Sequence, residues 1–154
     1  METEHSKKVR LTPRDRHALI AMAEIAGHSN HSPASLPAMA ATSGISLSYL
    51  EKLFVGFRRH GLVKSFRGCN GGYALARPAD QISISEILSA VDDSATRNGS
   101  DAKEAPPVHA QVDALMAKSE EILYAMLQHL NLADIVSQRV HSHPFLEKTL
   151  EELR

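Results

Sequence analysis

Between Ile45 and Pro78 the chain reads ISLSYLEKLFVGFRRHGLVKSFRGCNGGYALARP, and few folds accommodate such a stretch. Leu47, Leu50, Phe54 and Phe57 recur at three- and four-residue steps, which predicts a helix with one apolar face turned inward. Ser46 offers a side-chain oxygen to cap its start, and Gly61 stands where a left-handed residue ends a helix. Leu62 to Phe66 then alternates apolar and polar, Gly68 to Gly72 supplies a turn, and Tyr73 to Ala76 returns, so the chain folds back as a hairpin. A helix followed by a two-stranded wing is the unit around which the rest must be arranged.

The charge on this unit is one-sided. Ser48, Tyr49, Glu51, Lys52 and Arg59 occupy the helix face opposite the apolar one, and from Ser46 to Arg77 the basic residues Lys52, Arg58, Arg59, Lys64, Arg67 and Arg77 meet a single acid, Glu51. Such a surplus favours a polyanion. A helix of this diameter fits the DNA major groove, where exposed side chains near its N-terminus reach base edges. A thin basic ribbon suits the adjacent minor groove, with Arg58, Arg59, Lys64 and Arg67 as the candidates for phosphate contact. The bland alternative is a merely solvated charged face; helix, wing and charge agreeing in one stretch argue against it.

Composition sharpens the point. The net charge of −1 does not by itself suggest nucleic acid, but residues 1–91 carry eleven Lys and Arg against seven Asp and Glu, and residues 92–154 carry six against eleven. A front of +4 and a back of −5 direct the first part at a polyanion and leave the second for a protein interface or solvent. No apolar run approaches a membrane span and METEHSKKVR lacks the apolar core of a signal peptide, so a cytoplasmic protein is expected. One cysteine rules out an internal disulfide framework.

Ahead of the wing unit, residues 1–9 show no hydrophobic period and read as frayed. Thr12 caps a helix with Pro13 at its first position and Asp15 in its first turn; Ala18, Leu19, Met22, Ile25 and Ala26 form its inner face, and Gly27 ends it. HSNHSPAS is a loop, Leu36, Met39 and Ala40 belong to a short helix, and Ser43 and Gly44 turn into the next, which together predicts a helix-turn-helix. Beyond the wing, Ser83 and Glu86 stand at capping-box spacing before Ile84, Ile87, Leu88 and Val91.

The fold class expected is therefore mainly α with a small β-hairpin wing: a winged helix-turn-helix over 9–92, a flexible linker or loop over 93–107, a dimerisation helix over 108–130 and a C-terminal helical segment over 131–154. In the third part Val112, Leu115, Met116, Ile122, Leu123, Met126, Leu127 and Leu130 recur near a helical period, and a stripe this wide behind a small domain predicts pairing with a symmetry mate. In the fourth, Asn131 caps a helix through Leu132, Ile135 and Val136, and Pro144 starts a last one in which Leu146, Leu150 and Leu153 share a side.

These residues resemble a known group, the IscR-like, Rrf-type family of bacterial winged-helix transcription regulators. GISLSYLEKLF and GLVKSFRGCNGGYALARPADQISISEILSAVD carry the likeness, and VRLTPRDRHALIAMAEIA is similar to the family's first helix; together they cover about residues 9–93. The resemblance implies a homodimer that binds double-stranded DNA at a pseudo-palindromic operator, acting as a repressor under a redox, iron or small-molecule signal. It implies that Ser46, Ser48, Tyr49, Glu51 and Lys52 face the major groove and that Arg67 reaches the minor groove. Many members also hold an iron–sulfur cluster on three closely spaced cysteines between wing and dimerisation helix, whereas residues 92–111 here contain none. No cofactor is expected through that usual site.

The one cysteine, Cys69, lies at the wing tip beside Arg67, where positive charge favours the reactive thiolate. A redox switch there stands against the simpler reading of a small residue filling a turn. The pairs His28 with His31 and His141 with His143 offer nitrogen ligands for a metal, but both lie in polar segments where solvated histidines are common. An enzyme is not expected: no Gly-rich phosphate loop opens a helix and no nucleophile elbow is present. The remaining alternative is a winged-helix protein-interaction module without specific DNA binding, against which the basic recognition segment argues.

Overall fold

Thr12 and Asp15 open the first helix with a reciprocal cap. The Thr12 N–H donates to the Asp15 carboxylate at 2.7 Å, and the Asp15 N–H donates back to the Thr12 hydroxyl at 3.3 Å. The structure, a computed structural model, describes residues 11–92 and 106–154. The helices of the first part are α1 (Pro13–Ile25), α2 (Leu36–Ser43), α3 (Leu47–Arg59) and α4 (Ile84–Ala90). Ser35 caps α2, Gly44 closes it at φ 71°, and Ser46 caps α3, so the turn between α2 and α3 is set by local chemistry alone. The reading of residues 1–9 as frayed falls outside the described residues, as does that of 93–107 as linker except at its end, where Pro106 and Pro107 already cap and open the next helix.

One core unites these elements. Ala18, Ala21, Met22 and Ile25 of α1 meet Leu50, Leu53, Phe54 and Phe57 of α3 and Ile84, Ile87 and Leu88 of α4. Phe54 and Phe57 are fully buried and pack edge to face at 5.2 Å, each contributing about 1.5–3 kcal/mol by burial. The inward face of α3 departs from expectation at one position. Leu47 remains 38% exposed, and Leu53 takes the inward place instead. As the first residue of the helix, Leu47 overhangs the edge of the core; Leu50, Leu53, Phe54 and Phe57 make up the buried three- and four-residue series.

Gly61 ends α3 as expected, at φ 69°. The Leu62 N–H donates to the Phe57 carbonyl at 2.9 Å and the Gly61 N–H to the Arg58 carbonyl at 3.1 Å, the paired bonds of a Schellman turn. That turn forces both Leu62 and Val63 into the core, so apolar and polar residues do not alternate from Leu62 as the sequence suggested. The wing consists of β1 (Val63–Phe66) and β2 (Gly72–Leu75), antiparallel, with Val63 opposite Leu75 and Phe66 opposite Gly72.

The wing base is tied to the segment before α2. Ala34 and Tyr73 exchange two backbone hydrogen bonds, at 2.7 and 2.9 Å, and a Cβ on Gly72 would come within 2.2 Å of the Ala34 carbonyl oxygen. The Tyr73 ring lies 4.7 Å from that of Phe54, so β2 is fastened to α3 as well.

The second part of the chain contributes α5 (Pro107–Leu127), α6 (Leu132–Val136) and α7 (Pro144–Glu152). Only the C-terminal half of α5 meets the core, through Leu123, Tyr124 and Leu127. After it the chain re-enters the first core. Leu130 and Leu132 are buried, and the Ile84 N–H bonds to the Leu130 carbonyl while the Leu132 N–H bonds to that of Ile82. Asn131 and Asp134 form a capping box on α6, and Gln138, two residues past its end, turns the chain at φ 57°. In α7, Leu146 packs against the core, but Leu150 and Leu153 stay exposed at 56% and 75%, so the side they share is not covered by their own chain.

Candidate nucleic-acid interface

The Schellman turn places the wing directly after α3. Ser46, Ser48, Glu51, Lys52, Arg58 and Arg59 are exposed on or beside α3, and Lys64 and Arg67 are exposed on the wing. Among the described residues, no ion pair engages any of the five cations Lys52, Arg58, Arg59, Lys64 and Arg67. Their charge is thus left for a partner. Arg58 and Arg59 also lie in the last turn of α3, where positive charge complements the helix dipole.

Ser46 is partly committed already: its oxygen accepts from the Tyr49 N–H at 3.3 Å. Its hydroxyl proton remains available to a phosphate or a base. Tyr49 differs from its neighbours in being half-buried, with its ring edge-on to His17 of α1 at 5.6 Å. Arg77, counted above with the basic residues, is occupied. Its guanidinium donates to the Gln81 carbonyl at 3.0 Å and to Glu86 at 2.9 Å. Burial pushes the Glu86 carboxyl up, but the Ser83 backbone N–H, the Arg77 guanidinium and the Ser83 hydroxyl outweigh it and hold the group below its ordinary value. Arg77 therefore acts as a strut between wing and α4.

Sequence reasoning turned Leu47 inward and passed over Val55, yet both are exposed on this side, Val55 at 56%. An apolar side chain on a groove-facing helix suits a thymine methyl. The signal was present in LSYLEKLFVGF, since Val55 falls between the inward residues Phe54 and Phe57 without sharing their face.

Cys69 is exposed in the turn that the Gly71 N–H closes onto the Gly68 carbonyl at 3.0 Å. Of the histidine pairs, His28 Nδ1 faces the Ser32 carbonyl at 3.2 Å and His143 Nε2 lies 3.5 Å from the Asp134 carboxylate, while His31 and His141 are exposed. No three His, Cys, Asp or Glu side chains among the described residues converge as a metal ion would require. No described helix is long and apolar enough to cross a membrane.

Comparison with known proteins agrees with this architecture. Residues 11–138 match the Rrf2 family model, described as that of iron-dependent transcriptional regulators. The chain is 49% identical over 86 residues to the HTH-type transcriptional regulator IscR of Xenorhabdus nematophila, a match covering 56% of this chain and 52% of that protein. It thus spans about half the length of that relative. With IscR of Erwinia tasmaniensis the identity is 36% over 133 residues, 85% of this chain and 81% of the relative. Among solved structures, CymR, the global cysteine regulator of B. subtilis, superposes with a TM-score of 0.64 at 28% identity, over 84% of this chain and 98% of that one. The family description names iron, but the residues present do not make the usual three-cysteine site, because the chain has one cysteine and the wing tip holds it. Fold, helix–wing order and the match over 11–138 together establish that this chain belongs to the Rrf2 family of transcriptional regulators.

Proposed function

We propose that this chain is a cytoplasmic, non-enzymatic, homodimeric regulator that binds a pseudo-palindromic DNA operator through α3 and the wing, and represses transcription there. The observation that carries the reading is the set of five exposed cations around α3 and the wing, none of which is ion-paired among the described residues. In this reading α3 enters the major groove with Ser46, Ser48, Glu51 and Lys52 towards the bases, Arg58, Arg59 and Lys64 meet phosphates, and Arg67 follows the minor groove. Tyr49 contributes by its position against His17, which holds the start of α3 to α1. Two copies related by a two-fold axis present two such units, so the operator carries two half-sites.

Affinity for duplex DNA should fall steeply with salt, and Arg67→Ala should lower the slope of log affinity against log salt by about 0.9. Binding that ignores salt, or an Arg67→Ala protein that binds as wild type does, contradicts the reading. The signal belongs to the same proposal: no cluster assembles through three cysteines, and Cys69 or the histidines respond instead. Peroxide should weaken DNA binding reversibly in wild type and leave Cys69→Ser unaffected. Stoichiometric iron and acid-labile sulfide after anaerobic purification would refute the cluster-free half of the proposal.

A further inference from the structure

Ser48, Glu51, Lys52, Val55, Arg58 and Arg59 are all exposed on α3. At about 100° per residue, Val55 projects within roughly 60° of each of the others, so it stands in the middle of this stripe and not at its border with the core. Its side chain belongs neither to the buried core nor to the residues packed against it. Nothing in the fold asks for valine here. A β-branched residue weakens a helix relative to the straight-chain polar types, and an isopropyl group held in water gains nothing by burial.

We infer that Val55 is a specificity-determining residue: in the complex proposed above, its methyl groups pack on the C5-methyl of one thymine in each half-site. This rests on α3 being the recognition helix and adds an apolar contact to its polar ones.

Chemistry selects the thymine. The base edges in the major groove present nitrogen and oxygen acceptors and amino donors, and valine would strip water from these without replacing a hydrogen bond. Phosphate oxygens are excluded on the same ground. The thymine methyl is the apolar group on that surface, so one side chain both favours thymine and penalises the polar edges of other bases. Single exposed apolar residues are ordinary on protein surfaces, but this one is surrounded by five polar or charged side chains on the face assigned to DNA. A second copy does not cover it, because half-site spacing holds the two recognition helices of a dimer about 34 Å apart. Position follows from the rise of the helix. Val55 lies about 6 Å beyond Glu51 along the axis, and base pairs are stacked about 3.4 Å apart, so the thymine lies about two base pairs from the one that Glu51 reads.

The test starts from duplexes that the full-length wild-type chain selects from randomised DNA. Each thymine is replaced in turn by deoxyuridine, which removes only the C5-methyl, and affinities are compared for wild type, Val55→Ala and Val55→Ile. Val55 is 56% exposed, so both variants should fold as wild type does, checked by circular dichroism. At one position in each half-site uracil should weaken wild type about fourfold, the effect of one buried methyl, and about fifteenfold when both half-sites are changed. Val55→Ala should bind the thymine and uracil duplexes equally, and Val55→Ile should keep the preference. A selected duplex in which no uracil matters, or a uracil effect that survives Val55→Ala, overturns the assignment of Val55 and leaves α3 as the recognition helix. In the second case the methyl is read by another side chain such as Leu47. A chain that selects no sequence at all overturns both.

Discussion

Glu51 is the only acid on the exposed side of α3, and it sits among cations. In the proposed complex a carboxylate there repels phosphate and has no proton to donate, so the role proposed for it is to accept from cytosine N4 and to penalise other bases. Glu51→Ala should therefore broaden the set of bound sequences while overall affinity holds or rises; identical binding profiles from randomised DNA would remove Glu51 from base reading. Gly56 shows a different constraint at the same scale. A Cβ there would lie 2.4 Å from the Ala90 carbonyl oxygen, so α3 and α4 touch backbone to backbone. Gly56→Ala must spread the two helices and should destabilise the domain by about 1–3 kcal/mol, read as a lower urea midpoint. Charge, caps and the αL glycines 44 and 61 were legible in the sequence because each acts within a few residues. The half-burial of Tyr49 and the close approach at Gly56 were not, because each depends on a neighbour far along the chain, His17 in one case and Ala90 in the other.

At the scale of elements, short-range chemistry predicted almost every helix start. Thr12, Ser46, Ser83 and Asn131 all cap as their spacing implied. The tie between wing and α4 was not legible, since Arg77 reads as one more cation until Glu86 is seen against it. Because the folded-state pKa of Glu86 is lowered, its contribution is complete above the ordinary carboxylate value and is lost as pH falls through the lowered one. Arg77→Ala should cost stability at pH 7, and the gap to wild type should narrow below about pH 4, followed by chemical denaturation at each pH. Two residues past the end of α6, Gln138 stands in the left-handed region, where its Cβ is strained and the following Arg139 N–H still closes onto the Asp134 carbonyl at 2.9 Å. Gln138→Gly should raise stability by about 1 kcal/mol in thermal unfolding, since glycine adopts that conformation without the steric cost.

For the whole molecule, the apolar stripe over 108–130 divides in a way its period alone did not reveal. Leu123, Leu127 and Leu130 serve the chain's own core, while Val112, Leu115, Met116 and Ile122 face outward. Ile122→Glu with Met126→Glu should leave the protomer folded, yield monomers in sedimentation and weaken operator binding, because two half-sites are then no longer read together. Unaltered sedimentation would place the seam elsewhere. The wing's attachment has a consequence in time. Its base is locked by the Ala34–Tyr73 pair and by the Tyr73 ring against Phe54, while its tip is closed by the Gly71-to-Gly68 bond. Hydrogen exchange should resolve two clocks in one hairpin: the Ala34 and Tyr73 amides wait for a large opening of the domain, while the tip amides exchange within its fast local motions. In the proposed complex, a tip on the faster clock would leave Arg67 to settle after α3 has docked.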